Sequence, residues 1–239
     1  MFISPVSNLS FNSNKRTVYK NGKVLYKNKT NFFREDLNWK NLALFLSEKY
    51  QNVDKVNVFN FACSDGSEPY SLAVVLMEYL GLDALKFFPI QASDIDEEII
   101  AKAKCGPCNI TVRDLYQINQ MTKDDYGKYF QAHPPENKNY YMAVTPKPPI
   151  NRAIEFSQGN ILDGLDELPE HNNVVFARNF WCYLDEENRN KMIRKFIDIL
   201  DKTSSLIIGE LEYGHNYDEL LERHGFRSFG PTGVFSKVR

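Results

Sequence analysis

The sequence predicts an α/β fold: a mostly parallel sheet with helices on both faces, closed by a C-terminal antiparallel hairpin. Three observations predict it. Runs suited to strands alternate with stretches of helical periodicity. One run, Val174-Val175-Phe176-Ala177, is apolar at every position, as a strand covered on both faces should be. At the end of the chain, Phe226 to Phe229 and Val234 to Val238 bracket Gly230-Pro231-Thr232-Gly233, a hairpin signal.

The elements follow in order. Val56 to Ala62 is the first strand, and Leu72, Val75, Leu76, Tyr79 and Leu80 then recur at helical spacing. Phe87 to Ser93 is the second strand, ending in Asp94-Ile95-Asp96, and Glu97 to Lys104 reads as a helix. Between Cys108 and Arg152 the alternation breaks, with His133-Pro134-Pro135, Lys147-Pro148-Pro149 and the aromatic run from Tyr140. That stretch is too long for a plain connection, so a helical turn plus a small antiparallel flap over the sheet's edge is expected at 108–152. Ile154 to Phe156 is a third strand and Val174 to Ala177 a fourth. Met192, Ile193, Phe196, Ile197 and Leu200 form one helical stripe before the strand Leu206 to Ile208.

At 239 residues, 43% hydrophobic and 25% charged, the composition is that of one ordinary globular domain. A net charge of −2 gives no general pull toward nucleic acid or anionic membrane. Residues 1–27 read as a basic amino-terminal arm, since the first thirty residues hold six Lys and Arg and no acid. Such an arm is either a solvated tail or a guide for an acidic partner. The start lacks the pattern of a signal peptide, and no apolar stretch nears the roughly 18 residues of a membrane span. With four cysteines and no disulfide framework, the cytoplasm is the expected location. Cys105-Gly106-Pro107-Cys108 spells a redox tetrapeptide, but it follows a helix where that chemistry needs a helix to follow. It reads as a helix-ending loop, and no metal-ligand cluster accompanies it.

The chemistry concentrates at two clusters on either side of the first strand. One is Asn28, Thr30 and Arg34; the other is the bend Cys63-Ser64-Asp65-Gly66-Ser67-Glu68. Open α/β sheets bind ligands at the carboxyl ends of their strands, and an acid at the second strand's end, here Asp94, commonly accepts from ribose. A dinucleotide calls for a glycine-rich bend, whereas this one has only Gly66 and carries carboxylates at Asp65 and Glu68. Those charges favour a cationic cofactor, S-adenosylmethionine (SAM), over NAD, which stays the alternative.

Several fragments resemble the CheR-type chemotaxis protein methyltransferases, in order, over residues 28 to about 210. Asn28-Lys29-Thr30-Asn31-Phe32-Phe33-Arg34 is similar to that family's N-x-T-x-F-F-R segment, and the run from Ala62 to Ala73 to its C-S-T-G-E-E-P-Y-S-L-A loop. Ala92 to Asp96, Gly159-Asn160-Ile161-Leu162-Asp163, Phe176 to Tyr183 and Leu206 to Glu210 also have counterparts. The resemblance implies a class I SAM-dependent methyltransferase sheet (Rossmann-like) and transfer of a methyl group to protein glutamate. It implies that Asn28, Thr30, Arg34 and Ser64 approach the cofactor, Glu68 its ammonium, Asp94 with Ile95 its ribose, Asn160 and Ile161 its adenine, and Asn179 and Phe180 the pocket floor. S-adenosylhomocysteine (SAH) is the implied product, and an acidic protein, a chemoreceptor among the candidates, the implied partner.

Arg34 and Tyr183 are the implied catalytic residues. The bland readings stand beside these: a surface ion pair for Arg34, packing for Tyr183, and a helix-dipole carboxylate for Glu68. Two departures are plain. The bend has Asp65 and Ser67 where the family has Thr and Glu, and the family's helical amino-terminal domain has no counterpart in residues 1–27. Methylation of another acceptor, or SAM binding without turnover, are the alternative functions.

Overall fold

The computed structural model describes residues 18–20, 23–25, 30–106, 108–136, 138–213 and 217–238. Most of the basic arm, Asn28 and Pro107 lie outside these. A short hairpin, β1 (Val18–Lys20) and β2 (Lys23–Leu25), precedes the main body. There, α1 (Trp39–Lys49) leads into β3 (Asn57–Phe61), α2 (Ser67–Leu80), β4 (Ile90–Asp94) and α3 (Glu97–Cys105). A second sheet follows, in which β5 (Cys108–Ile110) and β6 (Phe130–His133) both pair antiparallel with β7 (Met142–Pro146), with α4 (Val112–Thr122) between β5 and β6. After the short α5 (Pro148–Asn151) come β8 (Ile154–Gln158), α6 (Ile161–Asp166), β9 (Asn173–Ala177), α7 (Glu186–Ile199) and β10 (Ser205–Ile207). Then α8 (Glu210–Tyr213), α9 (Tyr217–Arg223), β11 (Phe226–Ser228) and β12 (Val234–Lys237) close the chain.

The main sheet has seven strands in the order β11-β12-β10-β9-β3-β4-β8, and β12 alone runs against its neighbours. It is the α/β sheet with a closing antiparallel hairpin that the sequence predicts. Alternation along the strands sorts the core into two layers. Val174 and Phe176 of β9, Val58 of β3 and Ile207 of β10 join the side chains of α1 and α2. Val175, Ala177, Phe61 and Leu206 join those of α6 and α7. Each layer shields one face, so β9 is buried at every position.

Some boundaries differ from the sequence reading for local reasons. The second strand starts at Ile90, because Gly81–Phe87 is a 3-10 helix and Pro89 has no N–H for the ladder. Helix α1 is an element beyond those the sequence reading names; Trp39, Leu42, Ala43 and Leu46 carry the i, i+3, i+4, i+7 pattern and are its buried face. The expected helical turn before the flap is the full helix α4, opened by a capping box of Thr111 and Asp114. Cys105 ends α3, and Gly106 caps it with its N–H on Lys102 O. No helix among the described residues is long and apolar enough to cross a membrane.

Candidate functional site

The carboxyl ends of β3 and β4 meet in a bend built mainly from backbone. Ala62, Ser64 and Gly66 have φ of 55°, 53° and 88°. Glycine is required at Gly66, where a Cβ would stand 3.0 Å from both Phe156 and Tyr70. This tight path turns the Ser64 N–H onto Asp94 Oδ2 at 2.9 Å, while the Asp96 N–H reaches Asp94 Oδ1 at 3.0 Å. Asp94 is buried, and burial raises its pKa above the ordinary aspartate value despite those two donors. The adjoining turn is tied in by the Gly159 N–H on Asp94 O, 2.9 Å. There Asn160 caps α6 through Leu162 N, Ile161 is buried in the α6–α7 layer, and Ile95 packs against that layer.

The two carboxylates on which the sequence argument for a cationic cofactor rested both serve the protein, which corrects that argument. Asp65 Oδ1 accepts from Ser67 N at 3.0 Å and Ser67 Oγ at 2.6 Å, holding the first turn of α2. Glu68 accepts from Asn60 Nδ2 at 2.9 Å and from the Arg178 guanidinium. Asp94 differs in accepting, among the described residues, from the backbone N–H groups of Ser64 and Asp96 at the bend itself.

A second network lies across from the bend, and the sequence reading missed its centre. Arg178 follows β9, its side chain is fully buried, and it joins Glu68 to Asp36 Oδ1, the latter at 2.6 Å. It also stands over the Trp39 ring, 5.5 Å from the centroid. Asp36 takes two further donors on Oδ2, Asn179 Nδ2 and Glu210 N, each at 3.2 Å. Burial alone would lift the Asp36 pKa, but Arg178, Glu210 N–H, Arg34 and Asn179 outweigh it and hold the carboxyl below its ordinary value. The available signal was a lone Arg directly after an all-apolar strand.

Asn179 has a φ of 61°, and its N–H donates to Glu212 Oε2 at 2.8 Å. The buried Glu212 also takes Trp181 N and Gly209 N, and burial raises its pKa. Asn179 packs so closely on Gly209 that a Cβ there would come 2.5 Å from its Oδ1. Phe180 is buried, and Tyr183 is half-buried against the α6–α7 layer.

Thr30 and Arg34 sit on the strap 30–36, which other elements hold in place. Phe33 N donates to Ser71 Oγ at 2.9 Å, and Phe32 N to Asp114 Oδ1 at 3.1 Å. Glu35 pairs with Arg113 and accepts from Gln117 on α4. Beneath, Phe32 and Phe33 are buried; the Arg34 side chain is 34% exposed and 3.9 Å from Asp36. Arg34, Asp36, Arg113, Gln117 and Glu210 line a polar cavity of about 330 Å³.

Buried polar atoms without a partner gather here. Of the eight such side-chain atoms among the described residues, four are Asn60 Oδ1, Ser64 Oγ, Arg178 Nε and Asn179 Oδ1, all at the carboxyl ends of β3 and β9. Orphaned buried polar atoms mark a place where a polar ligand is accommodated or strain is stored.

Residues 28–225 match a family profile described as "CheR methyltransferase, SAM binding domain". The chain is 27% identical over 204 residues to the chemotaxis protein methyltransferase of Salmonella typhimurium, covering 85% of this chain and 66% of that protein. To the chemotaxis protein methyltransferase of Borreliella burgdorferi it is 30% identical over 194 residues, covering 77% of this chain and 64% of that one. The match thus spans slightly under two thirds of each relative's length. Among solved structures, magnesium protoporphyrin IX methyltransferase from Synechocystis with bound SAM is a distant likeness: TM-score 0.41, 13% identity, 84% of this chain and 78% of that one.

Proposed function

The chain belongs to the CheR methyltransferase family, and from that premise we propose that it transfers a methyl group from SAM to a glutamate carboxylate of a protein, chemoreceptors being the first candidates. The observation that carries the reading is the group of orphaned polar atoms at the ends of β3 and β9, next to a buried Asp94. The orphaned set fits an adenosyl amino acid. Asp94 and the oxygens of Asn60 and Asn179 accept from ribose hydroxyls and an ammonium, and the Ser64 hydroxyl can donate or accept.

When bound, SAM supplies a methyl group on a positively charged sulfur, open to in-line displacement. The chain's own residues then orient the acceptor. A glutamate, with an ordinary pKa of about 4.3, is already ionised near neutrality, so no general base is needed. Arg34 is the residue proposed to hold that carboxylate. Its ion-pair neighbour among the described residues, Asp36, is beyond hydrogen-bond distance at 3.9 Å, and Arg34 lines the polar cavity with a third of its side chain exposed. Phe32 and Phe33 fix its backbone from below, and the Trp39 Nε1–H on Arg34 O at 3.0 Å fixes it from the side. Glu68 is assigned to Arg178 rather than to the cofactor directly, and Tyr183 packs half-buried against the α6–α7 layer.

The experiment is methyl transfer from labelled SAM into membranes of the source organism. Label released as methanol by mild base supports a carboxyl ester, while a base-stable product moves the acceptor to nitrogen and overturns the proposal.

A further inference from the structure

We propose that Asp36 is a positioning residue that sets the Arg34 guanidinium toward the acceptor while docking the strap onto the end of β9. The assignment rests on the methyltransferase reading. Asp36 lies two residues beyond the family-like fragment that ends at Arg34. Its carboxylate is 5% exposed and sits where three parts of the chain meet. Oδ1 takes the Arg178 guanidinium at 2.6 Å and faces Arg34 Nε at 3.9 Å, and Oδ2 takes Asn179 and the first N–H of α8.

The two arginines differ in how firmly Asp36 holds them. Arg178 is fully buried and doubly paired, so it serves the interior. Arg34 is a third exposed, and its carboxylate contact among the described residues is Nε to Asp36 at 3.9 Å, beyond hydrogen-bond distance. A buried anion at that distance restrains a guanidinium without occupying the donors needed for a bidentate carboxylate. Removing the charge should let Arg34 wander while the strap remains docked.

A double-mutant cycle separates this from a purely structural role. Wild type, Asp36→Asn, Arg34→Ala and the double variant are compared for SAH affinity by calorimetry, thermal midpoint, and base-labile transfer into source membranes. Asparagine keeps an oxygen for Arg178 but turns an NH2 toward the donors Asn179 Nδ2 and Glu210 N, so SAH affinity should fall by no more than about threefold while transfer efficiency falls roughly tenfold. In the Arg34→Ala background the same change should cost less than about twofold. A full tenfold cost in that background, or transfer by Asp36→Asn equal to wild type, overturns the assignment. If the asparagine variant does not fold, Asp36→Glu keeps the charge but displaces it. The same loss of transfer is then expected, and undiminished transfer overturns the assignment. Failure of wild type to bind SAH or to transfer methyl sinks the underlying reading instead, and the assignment with it.

Discussion

The bend at 62–66 and the strap at 30–36 flank the same strand but are built by different means. The bend is nearly self-sufficient: three left-handed residues and two backbone N–H groups on Asp94 define it. The strap has little structure of its own and takes its shape from distant side chains, Asp114 and Arg113 on α4, Ser71 on α2 and Arg178 after β9. The difference teaches that the bend is fixed by local backbone and the strap by tertiary contacts. Under the proposed function, this lets the acceptor side change without disturbing the cofactor side.

The largest break in that comparison is expected at Arg178. Arg178→Ala removes the buried guanidinium shared by Asp36 and Glu68, leaving them mainly neutral amide and backbone donors, and should cost about 3–5 kcal/mol in denaturant unfolding. A loss under 1 kcal/mol would mean that water reaches both acids. Asp94→Ala comes next. It leaves Ser64 N and Asp96 N without their acceptor, about 1–3 kcal/mol, and should weaken SAH binding by roughly tenfold or more in calorimetry. Asp114→Ala removes the capping box of α4 and the anchor of Phe32 N together, about 1–2 kcal/mol, with loss of methyl transfer exceeding loss of SAH affinity. Equal losses would show that the strap and the bend are not separable.

Acid sharpens the same contrast. The pKa of Asp36 is depressed in the fold, so its contribution is present above the ordinary aspartate value, about 3.9, and is lost as pH falls through the lower folded value. Asp36→Asn should therefore flatten the acid limb of a stability–pH curve, and an unchanged limb would assign it to other acids. The smallest effect is expected at Glu35→Gln. Its pair with Arg113 is exposed, so the melting midpoint should stay within error of wild type, with the residual effect vanishing in high salt.

What was legible in the sequence follows the same division. Local signals exposed the sheet: the all-apolar Val174–Ala177 run, the strand before the bend, and the final hairpin all correspond to observed elements. Family-like fragments led to the cofactor class by a route sounder than the charge argument, since Asp65 and Glu68 turned out to be spoken for within the protein. Helix α1 is legible locally, in the spacing of Trp39, Leu42, Ala43 and Leu46. The Asp36–Arg178 pair was not readable in the same way. Its partners lie 142 residues apart, and nothing in a local window says which buried acid an isolated arginine will meet. The long-range partner of Glu68, Arg178, was hidden in the same way, 110 residues along the chain, whereas the Asn160 cap on Leu162 N is a local feature.

The most direct test is a titration of the isotope-labelled protein with SAH, followed through its backbone amide resonances. Saturable shifts centred on Ser64, Asp94, Ile95 and Asn179, with the α1–hairpin surface around Leu44 and Phe229 unmoved, are the expected result. Shifts confined to that other surface, or a response to NAD in place of SAH, would contradict the placement of the cofactor across the ends of β3, β4 and β9.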